Sequence, residues 1–527
     1  MSNKIYIFDT TLRDGQQSAC ARQLSLEENL MVARQLAALN VDIIEAGFPI
    51  ASPKIKEAVT AIAQTIQGPT ICGLARALEP DISECWDAVR FSTDPRIHTF
   101  IATSDIHVNE KFKSWGNTLA ARRDRVIAQA VLAVKLAKSK TADVEFSAED
   151  AGRTDLGYLI EVVAATIAAG ATTINIPDTT GFCTGIEMYE KIKILKERVP
   201  GINQVVLSVH CHNDLGQATP NSLMAIKAGA RQIEGCINGV GERAGNTPLE
   251  EVIVTLMTRA DYYGVGTQIN TEQLKQTSDL VARLLAIPVQ PNKAIVGKNA
   301  FQHAAGIHVH GVTLNPEVYE AVDAGKIGQQ AATIVLTRQT GKHGVQNRLT
   351  TLGYQNLGEE FINQFYEQKF LPLADKVGEV TDQHLRALMD EPLSNKPTEM
   401  IIYVNYDIAK RQNGWNAWLK VKLNPAADLL EEAGQGDGPI DALISALTKI
   451  SAKLDLKFSL TKFETVGVAR GANDLGEATV VLQDNGLTAL GRGSSTDTIE
   501  AAIKAAINAV NQLLVARTEP PIIKDRL

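Results

Sequence analysis

Short apolar stretches rich in β-branched residues alternate with amphipathic ones through the first 275 residues. The apolar stretches are KIYIFDTTLRD (4–14), VDIIEAGFP (41–49), TICGLAR (70–76), RIHTFIATS (96–104), DVEFSAEDAG (143–152), TTINIPDTTG (172–181), QVVLSVHCHND (204–214) and RQIEGCINGVG (231–241). Between them lie helical patterns such as SLEENLMVARQLAAL (25–39) and LIEVVAATIAAG (159–170), where Gly170 predicts a C-cap. Eight strand–helix repeats in this length predict an α/β fold, a closed (β/α)8 TIM barrel. A doubly wound open sheet is the alternative. It is disfavoured because no glycine-rich phosphate fingerprint follows the first strand.

Beyond the barrel segment the pattern is helical: QLKQTSDLVARLLA (273–286), PEVYEAVDAGKIG (316–328) and EFINQFYEQKFLPLADK (360–376). The charged, proline-containing stretch MDEPLSNKPTE (389–399) reads as a boundary. After it, strands followed by a helix occur twice. EMIIYVNYDIA and WNAWLKVKLN precede GPIDALISALTKI (438–450); LDLKFSLTKFETV and EATVVLQDNGLTALGRG precede STDTIEAAIKAAINAVNQLL (495–514). This predicts a duplicated β-β-α unit, each helix starting after a glycine-rich turn, at 436–438 and 491–494. The expected division is a barrel over 1–275, helical linking subdomains over 276–394 and a C-terminal α+β domain over 395–527.

Chain length and charge narrow the classes. At 527 residues more than one core is expected, and a net charge of −8 without a basic block argues against nucleic acid and anionic membrane as partners. No apolar run reads as a membrane span, and MSNKIYIFD enters a strand directly, so a cytoplasmic location is expected. All six cysteines precede residue 240 and none forms a C-x-x-C pair, as in a reduced protein.

The candidate chemistry centres on SVHCHNDLG (208–216). His210 and His212 are two apart in a strand, so both imidazoles point to one face, in the arrangement of two metal ligands. A solvated pair at a strand end is the other reading. Barrel chemistry sits at the carboxyl ends of the strands. There this sequence is polar in almost every unit: Arg13-Asp14, Glu45, Arg76, Thr103-Ser104, Glu149-Asp150, Asp178-Thr179, the histidine pair, and 238–246. Closure makes strands 7, 8 and 1 neighbours, bringing together Asp14, the two histidines and the loop GVGERAGN (239–246). A carboxylate, two imidazoles and an amide oxygen suit Mn²⁺, Mg²⁺, Co²⁺ or an open zinc site, and suit a closed structural zinc poorly.

At TTLRDG, GFP, RIHTFIATS, DVEFSAEDAGRT, NIPDTTG, HCHNDLG, GERAGN and GIHVHG, in order along nearly the whole chain, the sequence closely resembles the 2-isopropylmalate synthase family. That family belongs to a larger group with homocitrate and citramalate synthases and hydroxymethylglutaryl-CoA lyase. The resemblance implies an acyltransferase that condenses acetyl-CoA with 3-methyl-2-oxobutanoate and hydrolyses the thioester, giving 2-isopropylmalate and CoA in leucine biosynthesis. Sister condensations with another 2-keto acid, a retro-aldol lyase and an inactive sensor paralogue are the alternatives.

By position, the resemblance implies metal ligands Asp14, His210 and His212, with Asn246 alongside, and Mn²⁺ ahead of Mg²⁺, Co²⁺ or Zn²⁺. It makes Arg13 the group that stabilises a developing oxyanion, Glu149 a carboxylate tied to acetyl-CoA activation, and His98 and Thr179 the holders of the keto acid. His308 would be a histidine near the acetyl group, and Tyr319 a tyrosine near the active-site segment, with packing as its other reading. The bland counterparts are a structural ion pair for Arg13, a loop cap for Asp150 and a satisfied core histidine for His98. The tail resembles a leucine-sensing, dimer-forming domain, implying a leucine effector and a homodimer or homotetramer; Thr496 and Asp497 would otherwise be plain caps. Two departures stand out: Gln16 where the family usually has Glu, and Val309-His310 where it often has Gln-Asp.

Overall fold

The structure is a computed structural model. It describes residues 3–303, 308, 311–312, 314–329, 333–334, 336–354, 357–377, 380–389, 400–411, 414–424, 427–467, 476–495 and 497–518. Val309, His310 and Thr496 lie outside the described residues, as does nearly all of the 389–399 boundary stretch.

Eight parallel strands close on themselves: β1 (Tyr6–Asp9), β2 (Ile43–Gly47), β3 (Thr70–Arg76), β4 (Pro95–Ala102), β5 (Asp143–Glu149), β6 (Thr173–Asp178), β7 (Val206–Cys211) and β8 (Gln232–Gly235). β8 pairs back onto β1, with Phe8 opposite Glu234. The (β/α)8 expectation holds, and the open sheet is set aside. The helices between the strands begin where the sequence supplies caps. Ser25 and Glu28 form a capping box on Leu26–Leu39, and Gly170 closes Leu156–Ala169 in the left-handed region.

The period of two along each strand divides the barrel into two environments. Ile7, Ile44, Ile71, Ile97, Val144, Ile174, Val209 and Ile233 are fully buried, in one apolar cluster with residues of the surrounding helices. The alternate positions are Phe8, Glu45, Cys72, His98, Glu145, Asn175, Ser208, His210 and Glu234. The polar ones among them are also almost wholly buried. A buried polar group must find a partner, and these largely find each other. Arg96 NH1 donates to Glu145 (3.0 Å) and to Gln232 (2.9 Å), Asn175 donates to Ser147 (2.8 Å), and Ser208 donates to Glu234 (2.9 Å).

The chain splits into two compact units: Met1–His303 with Gly311–Thr333, and Ala304–His310 with Ile334–Leu527. In the first, helix Leu274–Leu285 forms as expected, but 316–328 is not one helix. Asn315 and Asp323 accept hydrogen bonds from Glu317 and Gly325 backbone N–H groups, which leaves two 3₁₀ turns, Pro316–Val318 and Ala324–Ile327. In the second unit the helical run from Glu359 to Val377 carries a π-turn at Tyr366–Phe370, just before Pro372, which has no N–H to give.

The repeated tail units each hold three strands, one more than the pattern predicts: 402–411, 414–422 and 429–436 before helix Pro439–Ala452, and 459–467, 476–484 and 487–495 before helix Thr498–Thr518. In the second repeat Asn485-Gly486, both at positive φ, fold the predicted single stretch into a hairpin. In the first, LLEEAGQG was too polar to read as a strand. Gly491 and Gly493 lie in a strand and not in a turn, because the helix backbone passes directly over them. Thr498–Arg517 is long and apolar enough to cross a membrane, contrary to the reading that no run was. Its Ala505, Ala509, Val510 and Leu513 are fully buried in the tail core, which accounts for the apolarity. All six cysteines are unpaired, and only Cys20 is exposed.

Candidate active site at the barrel mouth

Asp14 follows β1, His210 lies one residue before the end of β7, and His212 forms a β-bridge to Asn246 on the loop after β8. Barrel closure makes them neighbours across more than 190 residues of sequence. One ligand atom from each of Asp14, His210 and His212 lies within 4.8 Å of the others. His210 Nε2 is 3.3 Å from His212 Nε2 and 3.8 Å from Asp14 Oδ2. Asn246 Nδ2 donates to Asp14 Oδ1 (2.8 Å), while its Oδ1, like His212 Nδ1, is buried without a hydrogen bond among the described residues. Glycine is needed beside them. A Cβ on Gly241 would stand 2.2 Å from Asn246 Nδ2 and 2.8 Å from Asp14 Oδ1.

The electrostatics suit a cation. Burial pushes the Asp14 carboxyl up, but the Arg13 guanidinium and the two imidazoles outweigh it and hold it far below the usual carboxylate range. Burial, and then His210, lower His212 to about 3, so its ring is neutral and carries a free lone pair. Burial lowers His210 as well, yet the Glu234 carboxylate and Asp14 raise it overall. One carboxylate and two nearby imidazole nitrogens with an orphaned amide oxygen beside them make an N/O set that fits a divalent ion.

A second chain of contacts starts at Arg13. Its guanidinium donates to Asp14 (2.5 Å) and to Glu45 (2.6 Å). Glu45 also bonds His98 Nδ1 (2.7 Å), and His98 Nε2 bonds Ser147 (2.7 Å). Thus Arg13 is a structural ion pair and a neighbour of the Asp14–His210–His212 cluster at once, and His98 is a satisfied buried histidine that also faces the cavity. That cavity, about 200 Å³, is lined by Arg13, Asp14, His98, Glu149, Thr179, His210 and His212, with Leu74, Phe100 and Pro177 as its apolar wall. Glu149 sits at the rim, 2.5 Å from Lys111. The Thr179 hydroxyl accepts from the Asp150 N–H (2.9 Å).

The Asp150 side chain makes no capping hydrogen bond; its carboxylate instead holds Arg153 in a forked pair. His308 is exposed and falls in the second compact unit. Tyr319 is exposed, its ring 6.5 Å from that of His303. Gln16 donates to Leu12 O and to Asn29 and accepts from Leu24 N, so this departure ties down the loop before the first helix and lies outside the cavity lining.

Sequence reasoning gave no role to Glu45, Ser147, Asn175 or Glu234. Each was visible as a polar residue at an inward position of an otherwise apolar strand, which is where a barrel hides its site residues. Two further groups, Glu45–Cys72–His98 and His98–Glu145–Glu234, also cluster within metal-ligand reach. Their atoms are mostly engaged in the hydrogen bonds above.

Residues 4–281 match a family model described as HMGL-like, 295–377 the homocitrate synthase post-HMGL domain-like model, and 379–514 the LeuA allosteric (dimerisation) domain. The chain is 48% identical to a 2-isopropylmalate synthase of Carboxydothermus hydrogenoformans over 97% of its own length and 98% of that protein. It is 46% identical to one of Pelotomaculum thermopropionicum (98% and 99% covered) and 45% identical to one of Pyrococcus furiosus (97% and 100% covered).

Proposed function

The chain belongs to the 2-isopropylmalate synthase family, and from that we propose that it joins the acetyl group of acetyl-CoA to 3-methyl-2-oxobutanoate, then releases 2-isopropylmalate and CoA. The observation that carries this reading is the meeting of Asp14, His210 and His212 beside a cavity walled by Leu74, Phe100 and Pro177. A small branched 2-oxo acid needs both halves: a polar end that takes a carboxylate and its neighbouring carbonyl, and an apolar wall for its alkyl group.

In this reading Asp14, His210 and His212, with Asn246 beside them, would hold a divalent ion, Mn²⁺ in the first instance. When bound, such an ion polarises the carbonyl of a chelated 2-oxo acid. Arg13, fixed between Asp14 and Glu45, presents positive charge where negative charge develops on the carbonyl oxygen. His98 and Thr179 orient the oxo acid, and Glu149 at the rim serves the acetyl thioester. His308 is the residue we assign to the acetyl methyl, where a base must take a proton as the new C–C bond forms.

The division into a barrel (1–275), a linking region (276–394) and a tail (395–527) belongs to the same proposal and is supported by the residues the three family models match. So do leucine as effector at the tail, assembly as a homodimer or homotetramer, and action in the cytoplasm.

The test follows CoA release with a thiol reagent, offering acetyl-CoA with pyruvate, 2-oxobutanoate, 3-methyl-2-oxobutanoate or 2-oxoglutarate, with and without Mn²⁺ and leucine. Best use of 3-methyl-2-oxobutanoate, and its loss in a folded His212→Ala variant, supports the reading. Preference for pyruvate would make the chain a citramalate-forming member of the wider group instead.

A further inference from the structure

The register of the barrel places His210 on β7 directly opposite Glu234 on β8, so both side chains enter the interior side by side. His210 Nδ1 and Glu234 Oε2 face each other 3.3 Å apart, both buried, and among the described residues neither makes a hydrogen bond. The carboxylate is held from behind: its Oε1 accepts from Ser208 Oγ (2.9 Å), which in turn accepts from Gln232 Nε2 (3.0 Å). The opposite ring nitrogen of His210, Nε2, faces Asp14 and His212. Glu234 is buried to 1% exposure, where a carboxylate survives only with a partner of complementary charge or a donor. The neighbouring Glu145 is pushed up by burial and then by Glu234.

We propose that Glu234 is a positioning residue for the metal site, accepting the Nδ1–H of His210 and so fixing the ring with its Nε2 lone pair turned toward Asp14 and His212. The Ser208–Glu234–His210 relay sets the tautomer and rotation of one ligand from inside the barrel wall and raises its basicity, as outer carboxylates do for metal-bound histidines. The inference rests on the reading that Asp14, His210 and His212 hold a divalent ion.

The test is a titration of the full-length, metal-free protein with Mn²⁺ alone, followed by calorimetry and by loss of the free-ion electron-resonance signal. Glu234→Ala is expected to bind Mn²⁺ about 10–100-fold more weakly than the wild type. Glu234→Gln keeps an oxygen acceptor without its charge and protects the test if the alanine variant does not fold; it should fall between the two. Nitrogen-15 spectra of the metal-free wild type should show His210 protonated on Nδ1. A purely structural Glu234 would lower the melting temperature of the metal-free protein yet leave Mn²⁺ affinity and the tautomer unchanged, and that result overturns the proposal while sparing the metal site. If the wild type takes up no Mn²⁺, or His212→Ala takes it up equally well, the metal reading itself falls and this inference with it.

Discussion

Glu45 Oε2 lies 2.6 Å from Arg13 Nε while its other oxygen lies 2.7 Å from His98 Nδ1, so one fully buried carboxylate fixes two cavity-lining side chains. Glu45→Gln leaves a buried guanidinium short of its counter-charge, and breaking a buried pair from one side costs about 3–5 kcal/mol. We expect turnover in the thiol assay to fall by at least about 100-fold, with KM for the oxo acid also raised. Circular dichroism checks that the barrel persists. Turnover within a factor of two or so of the wild type would mean that Arg13 needs no such support.

Asp9, at the end of β1, is raised to about 7, chiefly by burial and against two hydrogen bonds from Thr11. A carboxyl whose folded pKa is raised stabilises the fold fully below its unfolded value. That contribution is lost as pH climbs toward the folded one. For Asp9 the window runs from about pH 4 to about pH 7. Asp9→Asn removes the titration, so its melting temperature relative to the wild type should rise between pH 5 and pH 8, by an amount corresponding to at most a few kcal/mol. Parallel thermal melts decide it; a pH-independent difference would mean that Asp9 does not titrate there.

Much of this arrangement was legible before any coordinates. Period-two alternation and eight strand–helix repeats gave the barrel, and closure alone brought Asp14 to His210 and His212. What stayed hidden was the role of several polar residues on the inward half of the strands, where His98 and His210 were already candidates. Glu45, Ser147, Asn175 and Glu234 are single polar residues in apolar runs, and whether such a residue faces the interior depends on register, which is set by partners distant in sequence. The third strand of each tail repeat escaped for a related reason: LLEEAGQG is partly exposed along its length, so hydrophobicity gave no signal. Asn485-Gly486 is by contrast the mark of a two-residue hairpin turn.

Arg243 holds the loop that carries Asn246. Its guanidinium donates to both oxygens of Asp214 (2.7 and 2.9 Å) and to the Thr179 carbonyl (2.7 Å), and its own backbone sits at φ +53°, in the left-handed region. It thereby joins the loops after β6, β7 and β8. The pair is partly exposed, so its loss should change global stability by no more than about 1 kcal/mol. Arg243→Ala should nonetheless lower kcat/KM for the oxo acid by about tenfold, because catalysis responds to small displacements that stability does not. Arg243→Lys, which cannot form the fork, should recover little of the loss. Equal kcat/KM in all three proteins would show that the loop keeps its shape without the clamp.

The tail offers a prediction separable from the chemistry. A Cβ at Gly491 would stand 1.9 Å from the Ala505 carbonyl oxygen and 2.4 Å from the Ala509 nitrogen, so at this point strand 487–495 lies against the backbone of helix Thr498–Thr518. Gly434 repeats the relationship in the first unit, its Cβ position 2.1 Å from the Ala442 carbonyl oxygen. Backbone cannot step aside as a flexible side chain can, so Gly491→Ala must push helix and sheet apart, at about 1–3 kcal/mol or more. The barrel has its own apolar core and does not share this contact. If leucine acts at the tail as proposed, the variant should therefore lose its response to leucine and any self-association of the wild type, read by sedimentation velocity, while basal CoA release stays within about twofold. Loss of basal activity in parallel with the tail would show instead that catalysis depends on the tail's integrity.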